Sequence, residues 1–299
     1  MTAEVRVRRA TPADSRACFD VFLASVTDLT ARLGVPWEPE PEPLWQRLEP
    51  MYMHLEAHAA EWWVAAERGS GELLGYARSV DRDGLFELSE FFVRPDRQSG
   101  GVGRELLARA FPPGRGEVRA IIATTDVRAQ ARYYASGTAA RFPIAALTGT
   151  PSEEAPDLGD LEAMTATVDD LAALNDLERT VLEFTRGEEF RWLLSQREGY
   201  LYRRDGRPVG YGFVGATGSG PIAALDPADQ VPILRHVEAR AATLDREELG
   251  LEVPMVNEIA IRHLLSRGFK MDQFLTLLMS SRPFGQFDRF IGFAPPFVL

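Results

Sequence analysis

The sequence predicts an α+β chain made of two similarly built units, and three observations carry that expectation. Leu85 to Val93 is dense in aromatic and aliphatic residues; a glycine-rich turn and then helical spacing from Arg104 to Phe111 follow it, giving the order strand, turn, helix. Short apolar stretches bounded by turn residues flank this segment, at Glu61 to Glu67, Glu72 to Val80 and Val118 to Ala123, with helical patterns on either side. The spacing Gly71-x-x-x-Gly75-Tyr76 returns as Gly206-x-x-x-Gly210-Tyr211, so the second half reads as a second copy of the first.

Size and composition fit two folded domains. The chain has 299 residues, and 45% of them are hydrophobic, enough for packed cores. A net charge of −11 argues against nucleic acid or an anionic membrane as the main partner. Cys18 is the only cysteine, so no internal disulfide exists; on the apolar side of its helix it reads as a small buried hydrophobe. The first residues, Met1 to Asp14, contain no apolar leader, and no apolar run reaches spanning length, so a cytoplasmic protein is expected.

In the first half, Glu4 to Arg9 alternates valine with arginine, the pattern of a half-buried strand. Thr11-Pro12-Ala13-Asp14 has the hydroxyl and proline of a helix start, and the helix runs on to Gly34. Val35 to Pro43 is an acidic, proline-rich loop, and Leu44 to Ala60 a second helix. His54 and His58 on it are four apart, but Leu55 breaks the His-Glu-x-x-His metal pattern, so a solvated or domain-facing pair is the expectation. Asp81 to Gly84 is a hairpin turn into the central strand. Pro95 and Asp96 end that strand, because proline donates no ladder hydrogen bond. Asp126 caps a further helix that ends at Gly137, and Ile144 to Leu147 reads as the closing strand of the first domain. A polar linker at residues 150–160 then divides domains expected at 1–149 and 161–299.

The glycine-rich turn Gln98-Ser99-Gly100-Gly101-Val102-Gly103 enters a helix whose first N–H groups lack intrahelical acceptors. With the positive end of the helix dipole, and glycines that permit close backbone approach, this makes a cradle for a phosphate or pyrophosphate. No Gly-Lys-Ser/Thr follows, so it is not a P-loop, and G-x-G-x-x-G is absent. Val93-x-Pro95 followed by Gln98-x-x-Gly101-x-Gly103 resembles the acyl-CoA pyrophosphate loop of the GNAT superfamily of N-acyltransferases. Ala129-x-x-x-Tyr133-x-x-x-Gly137 resembles its second motif, with Asp126 in place of the usual Asn and Thr138 in place of the usual Phe.

The resemblance implies two tandem acyl-CoA N-acyltransferase domains, each a three-layer sandwich with a mixed, mostly antiparallel central sheet between helices. It implies transfer of an acetyl group from acetyl-CoA by direct attack of a primary amine, carried by a small molecule or a peptide N-terminus. The backbone near Phe91, Phe92 and Val93 would hold the pantetheine arm and the carbonyl; Gln98, Ser99, Gly100, Gly101, Val102, Gly103 and Arg104 would hold the pyrophosphate, with Asp126 and Ala129 bordering the cofactor. Tyr133 is the expected general acid. Glu87, where some GNAT histone acetyltransferases place a catalytic glutamate, is the expected base, and Glu90 its competitor on the opposite strand face. The acceptor pocket is expected around the first two helices and the acidic loop. No metal is required. A homodimer is one expected assembly, because dimers are common in that superfamily, although a tandem chain can bury the same surface internally.

In the second half, Ala260-x-x-x-Leu264-x-x-x-Gly268 repeats the second motif, with Asn257 before it and Phe269 after it. Gln230 stands five residues past Leu225, as Gln98 stands five past Val93. The glycine turn, however, becomes Val231-Pro232-Ile233-Leu234-Arg235, where proline removes a donor and branched side chains block backbone approach. The second copy therefore reads as degenerate and unable to bind acyl-CoA. Its tail carries Phe284, Phe287, Phe290, Phe293 and Phe297 and should pack on a surface. Mycothiol synthases are also tandem, with catalysis expected in their C-terminal copy; here the intact loop is in the N-terminal one. Two competing classes are a non-catalytic acyl-CoA-binding sensor or interaction protein, and a metal-dependent enzyme using His54 and His58.

Overall fold

The computed structural model describes residues 5–97, 101–154, 156–216, 218–244 and 246–293. The chain divides into two compact units, one of Met1–Ala139 with Met279–Arg282, the other of Ala140–Leu278 with Pro283–Leu299. The fold is the expected α+β mixture of largely antiparallel sheet with helices.

The first unit holds β1 (Val5–Arg9), α1 (Ser15–Arg32), α2 (Pro41–Ala57), β2 (Ala59–Glu67), β3 (Leu73–Arg82), β4 (Leu85–Val93), α3 (Val102–Ala110), β5 (Val118–Thr124) and α4 (Val127–Ala135). Its strands lie in the order β1-β2-β3-β4-β5, antiparallel except for the β4–β5 pair. The β3–β4 hairpin closes through Asp83 and Gly84, both with positive φ, the two-residue turn whose twist suits antiparallel strands. Before α1, the Asp14 carboxylate accepts from the backbone N–H and hydroxyl of Thr11 and pairs with Arg8, so a single 3-10 turn precedes the helix proper. The helix α2 starts three residues before the expected Leu44. Pro41 and Pro43 sit in its first turn, where a missing N–H leaves no hydrogen bond broken. Cys18 is fully buried, and burial pushes its thiol up, which removes the thiolate a nucleophile would need.

The second unit holds all but the first residue of β6 (Ala139–Gly149), β7 (Glu162–Thr165), α5 (Leu171–Leu182), α6 (Gly187–Gln196), β8 (Glu198–Arg204), β9 (Arg207–Val214), β10 (Ser219–Ala224), α7 (Gln230–Thr243), β11 (Leu249–Pro254), α8 (Glu258–Ser266), all but the last two residues of β12 (Lys270–Ser280), and β13 (Phe290–Ile291). One sheet runs β13-β10-β9-β8-β7, and β12, β6 and β11 are neighbours in a second run. Ile233, Val237, Leu251 and Leu264 lie in its core. Here the observed boundary differs from the one expected at 149. The strand β6 pairs antiparallel with β11, from Ile144↔Pro254 to Gly149↔Leu249, so its partners come from the second half of the sequence.

The repeated Gly-Tyr motif marks a repeated polar core. Tyr76 of β3 donates to the buried Glu90, which pairs with Arg78. Tyr211 of β9 donates to the buried Glu178, which pairs with Arg186, although this carboxylate comes from α5 rather than from a strand. In each unit a tyrosine hydroxyl donates to one buried carboxylate and an arginine lies within ion-pair distance of it.

Glu252 on β11 lacks that arrangement. Burial, reinforced by the nearby Asp272, pushes its carboxyl up to about 7 from an ordinary value of 4.5. The folded chain therefore holds this proton to higher pH than the unfolded chain. Its contribution favours folding below about 4.5 and is lost as pH rises through about 7. Glu252→Gln is expected to stabilise the protein by about 1–3 kcal/mol at pH 8 and to change little near pH 4.5, as read from urea unfolding at both values.

Candidate active site

The parallel strands β4 and β5 of the first unit pair over only part of their length. Their parallel ladder runs from Leu85↔Val118 to Leu88↔Ile121, yet β4 continues to Val93 and β5 to Thr124. The departure coincides with a bulge. Ser79 faces Leu88 and Arg78 faces Glu90 across the hairpin, so Ser89 is the extra residue. Beyond it, Phe91, Phe92 and Val93 become only half-buried, whereas Leu85 to Leu88 are buried.

The bulge also decides where the carboxylates point. Glu87 opposes Val80 and Glu90 opposes Arg78, and Val80 and Arg78 share a face, so Glu87 and Glu90 share one too. The expectation that they face opposite sides fails because Ser89 adds one residue to the alternation. Both are buried and ion-paired. Glu87 lies 2.5 Å from Nη1 of Arg82. Glu90 Oε2 lies 3.1 Å from Nε of Arg78, and its Oε1 accepts from the Tyr76 hydroxyl at 2.7 Å. The Arg78 guanidinium sits 4.4 Å over the Trp62 ring and donates to the Tyr52 carbonyl. Burial, then the Glu90 charge, push the Tyr52 and Tyr76 phenols well above their ordinary range, so both remain neutral donors. Phe92 belongs to this face as well, packed on Phe22 of α1 and on Tyr76.

The opposite face of β4 meets Gly103 at the start of α3 and Tyr133 of α4. Gly101 caps α3 with φ +83°, a left-handed conformation that glycine adopts without strain. A Cβ built on Gly103 would lie 3.2 Å from Cζ of Phe91, 3.5 Å from a Val93 methyl and 3.7 Å from Nη1 of Arg132. Phe91 also packs edge-on against the buried Tyr133, with ring centroids 6.1 Å apart. Burial, and secondarily the Asp126 charge, push the Tyr133 phenol up, which keeps it protonated. Phe91, Val93, Gly103 and Tyr133, all named from the sequence, thus converge where β4 has left β5. Val102 is buried and Arg104 exposed at the start of α3; Gln98, Ser99 and Gly100 lie outside the described residues.

Asp126 has a local structural task. It caps α4 by accepting from the N–H groups of Arg128 and Ala129, and it pairs with the side chains of Arg128 and Arg32. Burial would raise its carboxyl, but those hydrogen bonds outweigh it and hold it at about 2. Ala129 follows on the half-buried side of that first turn. Arg132 is the residue the sequence reading missed. It stands one position before Tyr133 and brings a guanidinium to Gly103, beside the start of α3. Its only sequence signal was adjacency to the motif tyrosine. His54 and His58 pack with ring centroids 4.7 Å apart and their planes tilted by 45°, and among the described residues no group of three or more His, Cys, Asp or Glu could hold a metal ion. Among those residues, too, no helix is long and apolar enough to cross a membrane.

Residues 23–137 match the acetyltransferase (GNAT) family. No curated protein matches the chain significantly. Among solved structures, a protein of Pyrococcus horikoshii described as a candidate acetyltransferase superposes with a TM-score of 0.72 at 13% identity, covering 97% of this chain and 94% of that one. A GCN5-related N-acetyltransferase from Sphaerobacter thermophilus gives 0.60 at 16% identity, over 93% and 96% of the two chains. A tandem GNAT protein from the clavulanic acid biosynthesis pathway gives 0.56 at 17% identity, over 94% and 99%. At these identities the likeness is one of fold.

Proposed function

We propose that this chain, which carries a GNAT-family domain at residues 23–137 within a tandem GNAT architecture, is an acetyl-CoA-dependent N-acetyltransferase acting on a primary amine. The family supports acyl-CoA-dependent acetyl transfer in general. The finer reading rests on one observation: the β4–β5 ladder stops at Leu88↔Ile121, and β4 runs on to Val93 beside Gly103 and Tyr133. An acyl-thioester arm fits such a divergence, because the strand backbone beyond Leu88 can hydrogen-bond its amides and carbonyl. The start of α3, with Gly101 and Gly103, then receives the pyrophosphate, and Arg104 and Arg132 supply cations.

In this reading the amine nitrogen attacks the thioester carbon. The C–N bond forms, the C–S bond breaks, and the thiolate takes a proton from Tyr133 while the ammonium proton leaves to a carboxylate or water. Glu90, rather than Glu87, is the carboxylate at the level where the strands diverge, since Glu87 still sits in the β4–β5 ladder opposite Ala120. The acceptor would lie on the α1–α2 side, where Glu90 faces Tyr52 and Tyr76.

Tyr133→Phe is expected to lower kcat about a hundredfold with acetyl-CoA affinity nearly unchanged, the lower end of a general-acid contribution because a thiolate is a good leaving group. Release of CoA in the presence of an amine panel tests the reaction itself. Retention of acetyl-CoA without turnover would favour the second reading, a non-catalytic acyl-CoA binder, to which the ion pairs that already engage Glu87 and Glu90 lend support.

A further inference from the structure

The second unit has a cleft of its own, and the chain fills it. The strand β10 pairs with β9 on one side and with β13 on the other, through Ile222↔Ile291 and Ala223↔Phe290. The next residue, Gly292, bridges antiparallel to Glu252 of β11, its N–H donating to the Glu252 carbonyl at 2.8 Å. The tail is therefore laid between β10 and β11. These are the second unit's counterparts of β4 and β5, each lying between the Gly-Tyr strand and the second motif.

Side chains on both walls hold its backbone. Gln230 Nε2 donates to the Asp288 carbonyl at 2.8 Å, and Asn257 Nδ2 donates to the Phe290 carbonyl at 3.2 Å and to Gln230 Oε1 at 2.5 Å. Arg289 in turn donates to the Leu225 carbonyl at 2.6 Å. Gly220 leaves the space required, since a Cβ there would overlap the Gly292 carbonyl oxygen. Phe287, Phe290 and Phe293 are buried, Phe290 against Phe287 and Phe293 between Trp192 and the Arg197 guanidinium.

The geometry points to an extended-peptide site in the second unit, occupied in cis by Phe287–Phe293. Its ligand class is a polypeptide strand with buried aromatic side chains, bound by strand addition to β10 and by two side-chain amides that read its carbonyls. Gln230 and Asn257, which correspond in the repeat to Gln98 and Asp126, are thereby engaged by peptide. The second unit has lost both its glycine turn and its open cleft.

The test cuts the folded chain. A protease site inserted between Arg282 and Pro283, both exposed, releases the covalent link to residues 283–299. The fragment is expected to stay bound through gel filtration, to exchange with a labelled synthetic peptide of residues 283–293, and to resist millimolar CoA. Asn257→Asp keeps the oxygen that accepts from the Ala260 N–H but removes the donor to Phe290, and should speed fragment release about tenfold. Hydrogen exchange on the uncut chain guards against misfolding of the cut one. The Gly292 amide should be protected in the wild type and lose protection selectively in Asn257→Asp. Immediate loss of the fragment, displacement by CoA, an Asn257→Asp release rate equal to wild type, or an unprotected Gly292 amide would each overturn the proposal.

Discussion

Replacing Gly101 by isoleucine and Gly103 by arginine should raise the Kd for acetyl-CoA at least about a thousandfold. Isoleucine at position 101 meets a φ of +83°, where a β-branched side chain is strained by about 1–2 kcal/mol or more. Any side chain at position 103 starts 3.2 Å from the Phe91 ring and must run into the space between Phe91, Val93 and Arg132. The two residues copy Ile233 and Arg235, which stand at the same spacing after Gln230 as Gly101 and Gly103 do after Gln98. Calorimetric titration is the measurement, with thermal unfolding confirming that the variant is folded. Wild type should bind at one site. Two sites would overturn the reading of the second unit as closed, and undiminished binding by the variant would overturn the glycine cradle.

The second large effect is on stability. Glu90→Ala should cost about 3–5 kcal/mol, because it leaves the fully buried Arg78 guanidinium without its carboxylate and the Tyr76 hydroxyl without its acceptor. Replacing Arg78 and Glu90 together by leucine should recover much of that loss, since no uncompensated charge remains. Urea unfolding followed by tryptophan fluorescence measures both; a Glu90→Ala loss below about 1 kcal/mol would show that the pair is not buried in solution. The same comparison bears on the chemistry. Glu90→Gln, which keeps an acceptor for Tyr76, should change the pH dependence of kcat/KM, whereas Glu87→Gln should perturb the Arg82 pair and leave that profile as in the wild type.

Particular residues show why parts of the site could be read from the sequence. The order strand, glycine turn, helix at Leu85 to Phe111 is written in neighbouring residues, and β4 and α3 follow it to within two positions. The Asp126 cap, the Gly137 helix end and the Asp83-Gly84 hairpin are equally local, each depending on the conformational range of one or two residues. Phe91, Gly103 and Tyr133 were legible as a set because a recognisable motif spacing carried them. Arg132 was not, since nothing in the sequence tells an exposed helix arginine from one that reaches a glycine on another helix.

The sequence by itself determined the α+β class, the repeat, the intact glycine turn of the first copy and its loss in the second. All of these are properties of residue type and short spacing. Only the tertiary structure decided that Ser89 bulges, that Glu87 and Glu90 therefore share a face, that β6 belongs with β11, and that the aromatic tail lies between β10 and β11. Each of these is a question of register between strands distant in sequence. One inserted residue reverses every side chain beyond it, and a strand's partner is chosen by the surface that pairing buries, which no short window of sequence contains.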